Sequence, residues 1–224
     1  MGSAPRSSPR KAAGVSNRLI IAIDGPSASG KGTLARRLAA HFGLPHLDTG
    51  LLYRAVGLKS HQTGRTPIET AANLQTSDLA NPELRTDSAG QQASKVAAIP
   101  EVRDKLLNLQ RKFAHQPSGA VLDGRDIGTV ICPDAPVKLF VTASPEARAE
   151  RRYRELRERG GNTIKPRVLA EMAERDRRDS ERAAAPLVAA PDAFLLDTSD
   201  MDADAAFAAA LAFIERKGFR SSGP

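Results

Sequence analysis

Residues 19–33 read Leu-Ile-Ile-Ala-Ile-Asp-Gly-Pro-Ser-Ala-Ser-Gly-Lys-Gly-Thr. Leu19 to Ile23 are apolar without alternation, the pattern of a parallel strand buried on both faces. Beyond the stretch, Leu34, Leu38 and Phe42 recur at helical spacing, with Arg36, Arg37 and His41 on other faces. Between strand and helix lie Gly25, Pro26, Ser27, Ala28, Ser29, Gly30, Lys31, Gly32 and Thr33, a G-x-x-x-x-G-K loop in its expected context. Such a loop aims backbone N–H groups and the positive end of a helix dipole at one point. Lys31 adds a full charge for the β- and γ-phosphates, so a nucleoside triphosphate is the first ligand to expect. The residue after Lys31 is Gly32, and the hydroxyl comes one place later at Thr33. A Mg²⁺ ion is therefore expected to be held by phosphates and water, with nearby carboxylates bonding the waters.

Four further apolar runs follow: Pro45–Leu47, Ala120–Leu122, Val137–Val141 and Ala193–Leu196. Their alternation with helical segments predicts an α/β fold, a parallel sheet covered on both faces. Ligands of such sheets collect at the carboxyl ends of the strands. Asp24, Asp48, Asp123 and Asp197 each follow a run directly. Asp48 and Asp123 are candidates for the metal's water shell; the alternative for any such aspartate is a cap on the next turn.

The 224 residues suit one domain with a small insertion, and the net charge is +7. Much of that excess lies in the ends: residues 1–23 carry Arg6, Arg10, Lys11 and Arg18 and no acid. Aromatics are 4% with no tryptophan, which argues against a base-stacking surface for nucleic acid. The one cysteine, Cys132, excludes an internal disulfide, reads as a small buried thiol and fits a reducing cytoplasm. The four histidines show no metal-ligand spacing, and no run is long enough to span a membrane. We expect a monomer with a disordered basic tail over 1–17 and a frayed end over 219–224.

Ser60–Gln92 is rich in Thr, Gln, Asn and Ser and reads as a looser inserted subdomain. Helix is expected again over Ala93–Lys112, with Val96, Ile99, Val102, Leu106 and Leu109 in one stripe broken at Pro100. Ser144-Pro145-Glu146 is a helix start, running through Arg151, Arg152, Arg154, Arg157 and Arg159 to Gly160-Gly161. A second charged helix, about Pro166–Arg182, follows; the pair around the double glycine looks like a lid.

Thr49 can cap the helix that opens at Asp48-Thr49-Gly50, with Arg54 one turn above. Asp123-Gly124-Arg125-Asp126 places Arg125 and Asp126 in the same crevice. Arg175, Arg178 and Arg182 share a helix face, with Asp179 spaced to orient Arg175 and Arg182. The ordinary reading of such a face is a solvated one. Several arginines at the mouth of a triphosphate site suggest instead a clamp for a second phosphate, which would otherwise be repelled.

Taken together, Ile21 to Thr33, Leu47 to Arg54, Ala93 to Ala97, Pro100 to Arg103, Asp123 to Val130, Pro133 to Lys138 and Arg175 to Pro186 resemble the bacterial cytidylate kinase family of the nucleoside monophosphate kinase superfamily. The resemblance covers the chain from about Leu19 to the last helix. It implies a P-loop NTPase-type three-layer α/β/α domain over 18–218, with a five-stranded parallel sheet. It implies an NMP-binding insertion at about 54–115 and a helical lid at about 150–175. It also implies transfer of the ATP γ-phosphoryl group to CMP or dCMP, with Mg²⁺. By resemblance, Ser94, Arg103 and Asp126 read cytosine and Asp179 bonds the ribose. Arg54, Arg125, Arg175 and Arg182 clamp the acceptor phosphate, with Thr49 beside them. Arg151, Arg152 or Arg157 touches the donor phosphates. Lys31, Arg125 and Arg182 carry the catalysis. Ala28 stands where many relatives carry Gly, which is tolerable if that residue needs no positive φ. A UMP, AMP or metabolite kinase is the nearest rival. A GTPase switch is disfavoured because no Asn-Lys-x-Asp motif is present.

Overall fold

The computed structural model describes residues 18–220; the tail expected over 1–17, and residues 221–224, lie outside the described residues. Of the C-terminal end, Phe219 is described, and it packs against the main core. Five strands form one parallel sheet: β1 (Ile20–Asp24), β2 (His46–Asp48), β3 (Ala120–Gly124), β4 (Val137–Thr142) and β5 (Phe194–Asp197). Their order is β2-β3-β1-β4-β5, with Ile21 opposite Val121 on one side and Val137 on the other. Each strand lies where an apolar run predicted one.

Helices α1 (Lys31–Phe42) and, at the chain's end, α8 (Ala203–Arg216) cover one face. There Leu34, Leu38 and Ile214 bury against Ile21, Ile23 and Leu139. Each such side chain contributes about 1.5–3 kcal/mol when fully buried. On the other face Ile20, Ala22 and Leu122 meet Ile127, Ile131 and Cys132. Cys132 is fully buried, and burial pushes its thiol up to about 12, so it serves as packing. The central strand β1 has neighbours reached by different crossovers, so a crevice opens at its carboxyl end.

Between β2 and β3 the chain forms α2 (Thr49–Thr63), α3 (Pro67–Ala72), two short 3₁₀ turns, α4 (Asp87–Val96) and α5 (Pro100–Ala114). The stretch read as loose is thus mostly helical. Its polar residues are caps: Thr66 and Glu69 form a capping box, Asn81 accepts from Glu83 N–H, and Thr86 from Ala89 N–H. Leu52, Val56, Val96, Val102 and Leu106 give this insertion a core of its own. The single stripe expected through Leu109 is shared by two helices that meet at Pro100, and Leu109 itself is exposed.

After β4 come α6 (Pro145–Glu158) and α7 (Lys165–Glu181), a hairpin with a small core of Ala149, Val168 and Met172. Ser144 caps α6 by accepting from Ala147 N–H. At the other end Gly160 N–H donates to the Arg157 carbonyl and Gly161 N–H to the Leu156 carbonyl, a Schellman closure with Gly160 at φ 79°.

Of the four strand-end aspartates, two do structural work. Asp24 accepts from Ile127 N–H at 2.7 Å and Gly128 N–H at 2.8 Å, and burial lifts its carboxyl to about 7. It thereby fixes the turn that follows Arg125 and Asp126. Asp197 accepts from Ser199 and shapes an exposed turn.

Candidate functional site

The phosphate loop springs from β1 and ends in α1. Gly25 has φ 150°, and a Cβ there would lie 2.0 Å from the Val141 carbonyl oxygen, so the loop's origin admits glycine alone. α1 begins without a side-chain cap and without an acid in its first turn. Among the described residues, no acceptor is paired with the backbone N–H groups of 28–33. Unpaired amides at a helix N-terminus form an anion site. Lys31 curls back over the loop, its Nζ donating to the Pro26 carbonyl at 3.1 Å. Burial, with Arg125 close by, pulls its ammonium down to about 7. Ala28 has φ 56°, so the condition under which alanine would be tolerated there without strain is not met. A left-handed alanine costs about 1–2 kcal/mol, a strain kept at the site.

The loop is one wall of a cleft of about 230 Å³. Facing Lys31 of the loop, its other walls bring together Asp48, Thr49, Arg54, Ser94, Arg103, Asp123, Arg125, Asp126, Arg152, Arg175, Asp179 and Arg182. Arg151 and Arg157 do not line it. Arg151 donates to Thr198 and to the Met201 carbonyl beside β5, and Arg157 is exposed on the outer side of α6.

Four guanidinium groups gather opposite Lys31. Arg125 Nε donates to Asp179 Oδ2 at 3.0 Å, and Arg175 Nε lies 3.8 Å from the same oxygen. Burial, then the charge of Arg125, pulls Arg175 down to about 10; burial lowers Arg54 too. The buried Arg175 Nε and Arg182 Nη2 have no hydrogen-bond acceptor among the described residues. Buried cations crowded together, with donors to spare, make a site primed for an anion. Gly90 gives them room: a Cβ there would lie 3.2 Å from Arg175 Nη1 and 3.6 Å from Arg54 Nη2.

Asp179 orients Arg175 and Arg125 rather than Arg175 and Arg182. The chain leaves the helix at Arg182 (ψ 138°), so its side chain turns to Asp126, 3.7 Å away, and its Nε to the Ala185 carbonyl. Burial pushes Asp179 up, but Arg125, Arg175 and the Ser94 hydroxyl (2.8 Å) outweigh it and hold the carboxyl below its usual range. Arg178 shares the expected face but pairs with Glu174 outside the cleft.

Deeper in, Arg103 is ion-paired with Asp126, and its guanidinium lies 5.6 Å from the centre of the Tyr53 ring. Burial raises Asp126 despite the opposing charges of Arg103, Arg182 and Arg125. Thr49 does not cap α2: Asp48 holds the cap position, and the Thr49 hydroxyl donates to the Asp123 carbonyl at 2.9 Å. Sequence reading missed Tyr53, Asp87, Glu155 and His46. Tyr53 lay inside a quoted motif, one turn after Thr49. Arg152 pairs at 2.7 Å with Asp87 of α4, a contact between distant elements that no local pattern announces, and at 2.7 Å with Glu155, three residues on in its own helix, a spacing the sequence did offer.

The sequence profile of one family, cytidylate kinase, matches residues 21–216. The cytidylate kinase of Paramagnetospirillum magneticum is 61% identical over 207 residues, covering 88% of this chain and 98% of that protein. The chain belongs to the cytidylate kinase family. The family's member from Xanthobacter autotrophicus is likewise 61% identical, over 204 residues, covering 89% of this chain and 98% of its own length. At the level of fold, a crystal structure of an uncharacterized protein from Eubacterium ventriosum superposes with a TM-score of 0.54 at 18% identity. That superposition covers 91% of this chain and all of the other. No helix among the described residues is long and apolar enough to cross a membrane.

Proposed function

We propose that this protein transfers the γ-phosphoryl group of ATP to CMP or dCMP, giving ADP and CDP or dCDP. The observation that carries the reading is the cleft itself: a phosphate loop faces four converging arginines, and a buried Asp126–Arg103 pair lies beyond them. Family membership supports the same reading.

The phosphate loop, Gly25 to Thr33, takes the donor phosphates, with Lys31 on the β- and γ-groups and Arg152 reaching from α6. Arg54, Arg125, Arg175 and Arg182 hold the acceptor phosphate; Asp179 faces the ribose, and Ser94, Arg103 and Asp126 the cytosine. Asp126 accepts from the exocyclic amine, while Arg103 and Ser94 donate to the ring carbonyl and nitrogen. An acceptor phosphate oxygen attacks the γ-phosphorus in line, and the bond to the ADP oxygen breaks. The acceptor is already anionic, so no strong base is needed; positioning and charge stabilisation do the work. The α6–α7 hairpin serves as a lid that excludes water.

Mg²⁺ fits the residues present as an ion held through water. Among the described residues no group of three or more His, Cys, Asp or Glu side chains could hold a metal directly. A Cβ on Gly32, where the hydroxyl residue usually stands, would lie 3.7 Å from Asp123 Oδ2, and Asp48 lines the same wall. His46 Nε2, 2.7 Å from Asp123 Oδ1, fixes that carboxylate. When bound, the ion would neutralise phosphate charge. The reading includes a monomer working in the cytoplasm.

An ADP-release assay across CMP, dCMP, UMP and AMP tests the acceptor. Preference for the two cytidylates is expected; preference for AMP would overturn the reading. ATP binding also carries a proton signature. Lys31 lies near 7 in the free protein, and polyphosphate beside it favours the ammonium. Binding should therefore take up a proton at pH 8 and almost none at pH 6. Calorimetry in two buffers of different ionisation enthalpy measures it; equal uptake at both values would refute the assignment.

A further inference from the structure

We infer that Arg148 is a positioning residue for the phosphate loop, holding the Ser27–Ala28 peptide so that the Ala28 N–H faces the donor phosphates. The inference rests on the kinase reading above and concerns a residue outside the cleft. Arg148 stands in the first turn of α6 and is buried. Its Nε donates to the Ala143 carbonyl at 3.0 Å. Its Nη1 lies 2.6 Å from Asp176 Oδ2 and 3.3 Å from the Ser27 carbonyl oxygen. One guanidinium thus joins the end of β4, the helix α7 and the loop.

The Ser27 carbonyl and the Ala28 N–H belong to the same peptide plane, and in a trans peptide they point opposite ways. The described chain has no cis peptide. Holding the carbonyl therefore aims the N–H. A hold is needed because Ala28 sits at φ 56°, which its Cβ disfavours. Rotating that peptide changes ψ of Ser27 and φ of Ala28 together, and would relieve the strain by turning the N–H away. The Ala28 methyl packs against Ala149, Val168 and Met172, a second hold from the same hairpin. A glycine would need neither hold; with alanine in the loop, the arginine beneath it becomes part of the binding apparatus.

The test is a double-mutant cycle on the full chain, reading Kd for ATP by calorimetry with no acceptor present. R148K keeps the charge opposite Asp176 but gives up the fork. It should weaken ATP binding about tenfold, the scale of one charge-assisted hydrogen bond, and leave Kd for CMP within about twofold. In an A28G background the same change should cost about threefold or less, because glycine adopts positive φ freely. D176N, which drops the ion pair and keeps the Ser27 bond, should lower the unfolding midpoint without moving Kd for ATP. The inference is overturned if R148K weakens ATP and CMP alike, or weakens ATP by the same factor with alanine and glycine at 28. If R148K does not fold, R148M/D176L removes the buried Arg148 charge and its half-buried partner together and is read by the same criteria. Turnover of CMP by the unaltered protein, run alongside, tests the kinase reading separately, because ATP binding alone decides the role of Arg148.

Discussion

Lys31→Met is expected to lower kcat about 10²–10³-fold, the usual loss when a preorganised charge is removed from a developing phosphoryl transition state. The fold should not suffer. In the folded protein Lys31 is pulled from its ordinary 10.5 to about 7. Below 7 both states keep the proton; between 7 and 10.5 the folded state gives it up first. The sign is that the lysine costs stability once pH falls below 10.5, and the full cost is present below 7. Methionine has similar length and no charge to bury, so the unfolding midpoint at pH 7 should hold or rise. Steady-state rates at saturating ATP and CMP, with a thermal melt, check both halves. A folded variant that keeps more than a tenth of its kcat would remove Lys31 from the chemistry.

Asp126→Asn should act on selectivity and on stability together. The carboxylate neutralises Arg103 and lies 3.7 Å from Arg182, and all three side chains are buried. Breaking a buried pair by removing one charge costs about 3–5 kcal/mol; asparagine keeps one acceptor, so the lower end is expected. A charge-assisted hydrogen bond to the cytosine amine accounts for about 1.5–3 kcal/mol of binding. The ratio of kcat/KM for CMP over UMP should therefore fall about 10–100-fold. Chemical denaturation reads the first effect and paired kinetics the second. If stability falls while the ratio stays put, Asp126 is a structural counter-ion and the base is read elsewhere.

Much of the architecture was legible because buried parallel strands are written as unbroken apolar runs. The phosphate loop was legible because its chemistry requires glycines and a lysine in fixed places. The insertion was misjudged for a physical reason: Thr66, Asn81 and Thr86 cap short helices, and capping residues have the composition of loops. Helical spacing correctly put Asp179 beside Arg175, and failed for Arg182 because the backbone turns extended at that residue. Arg125 as the second partner of Asp179, and His46 against Asp123, are contacts between elements far apart in the chain. Periodicity carries no information about such pairs. Of the cleft's charged groups, the sequence announced the phosphate grips and Asp179 among the carboxylates that aim them, and withheld Asp87 beside Arg152.

Gly90 has a practical corollary. In the middle of a helix, glycine forfeits about 1 kcal/mol relative to alanine. Any engineering effort that swaps helical glycines for alanines to gain heat tolerance would choose this position early. Here the added methyl would press on Arg175 Nη1 at 3.2 Å and touch Arg54 Nη2 at 3.6 Å, trading a sturdier scaffold for a duller catalyst.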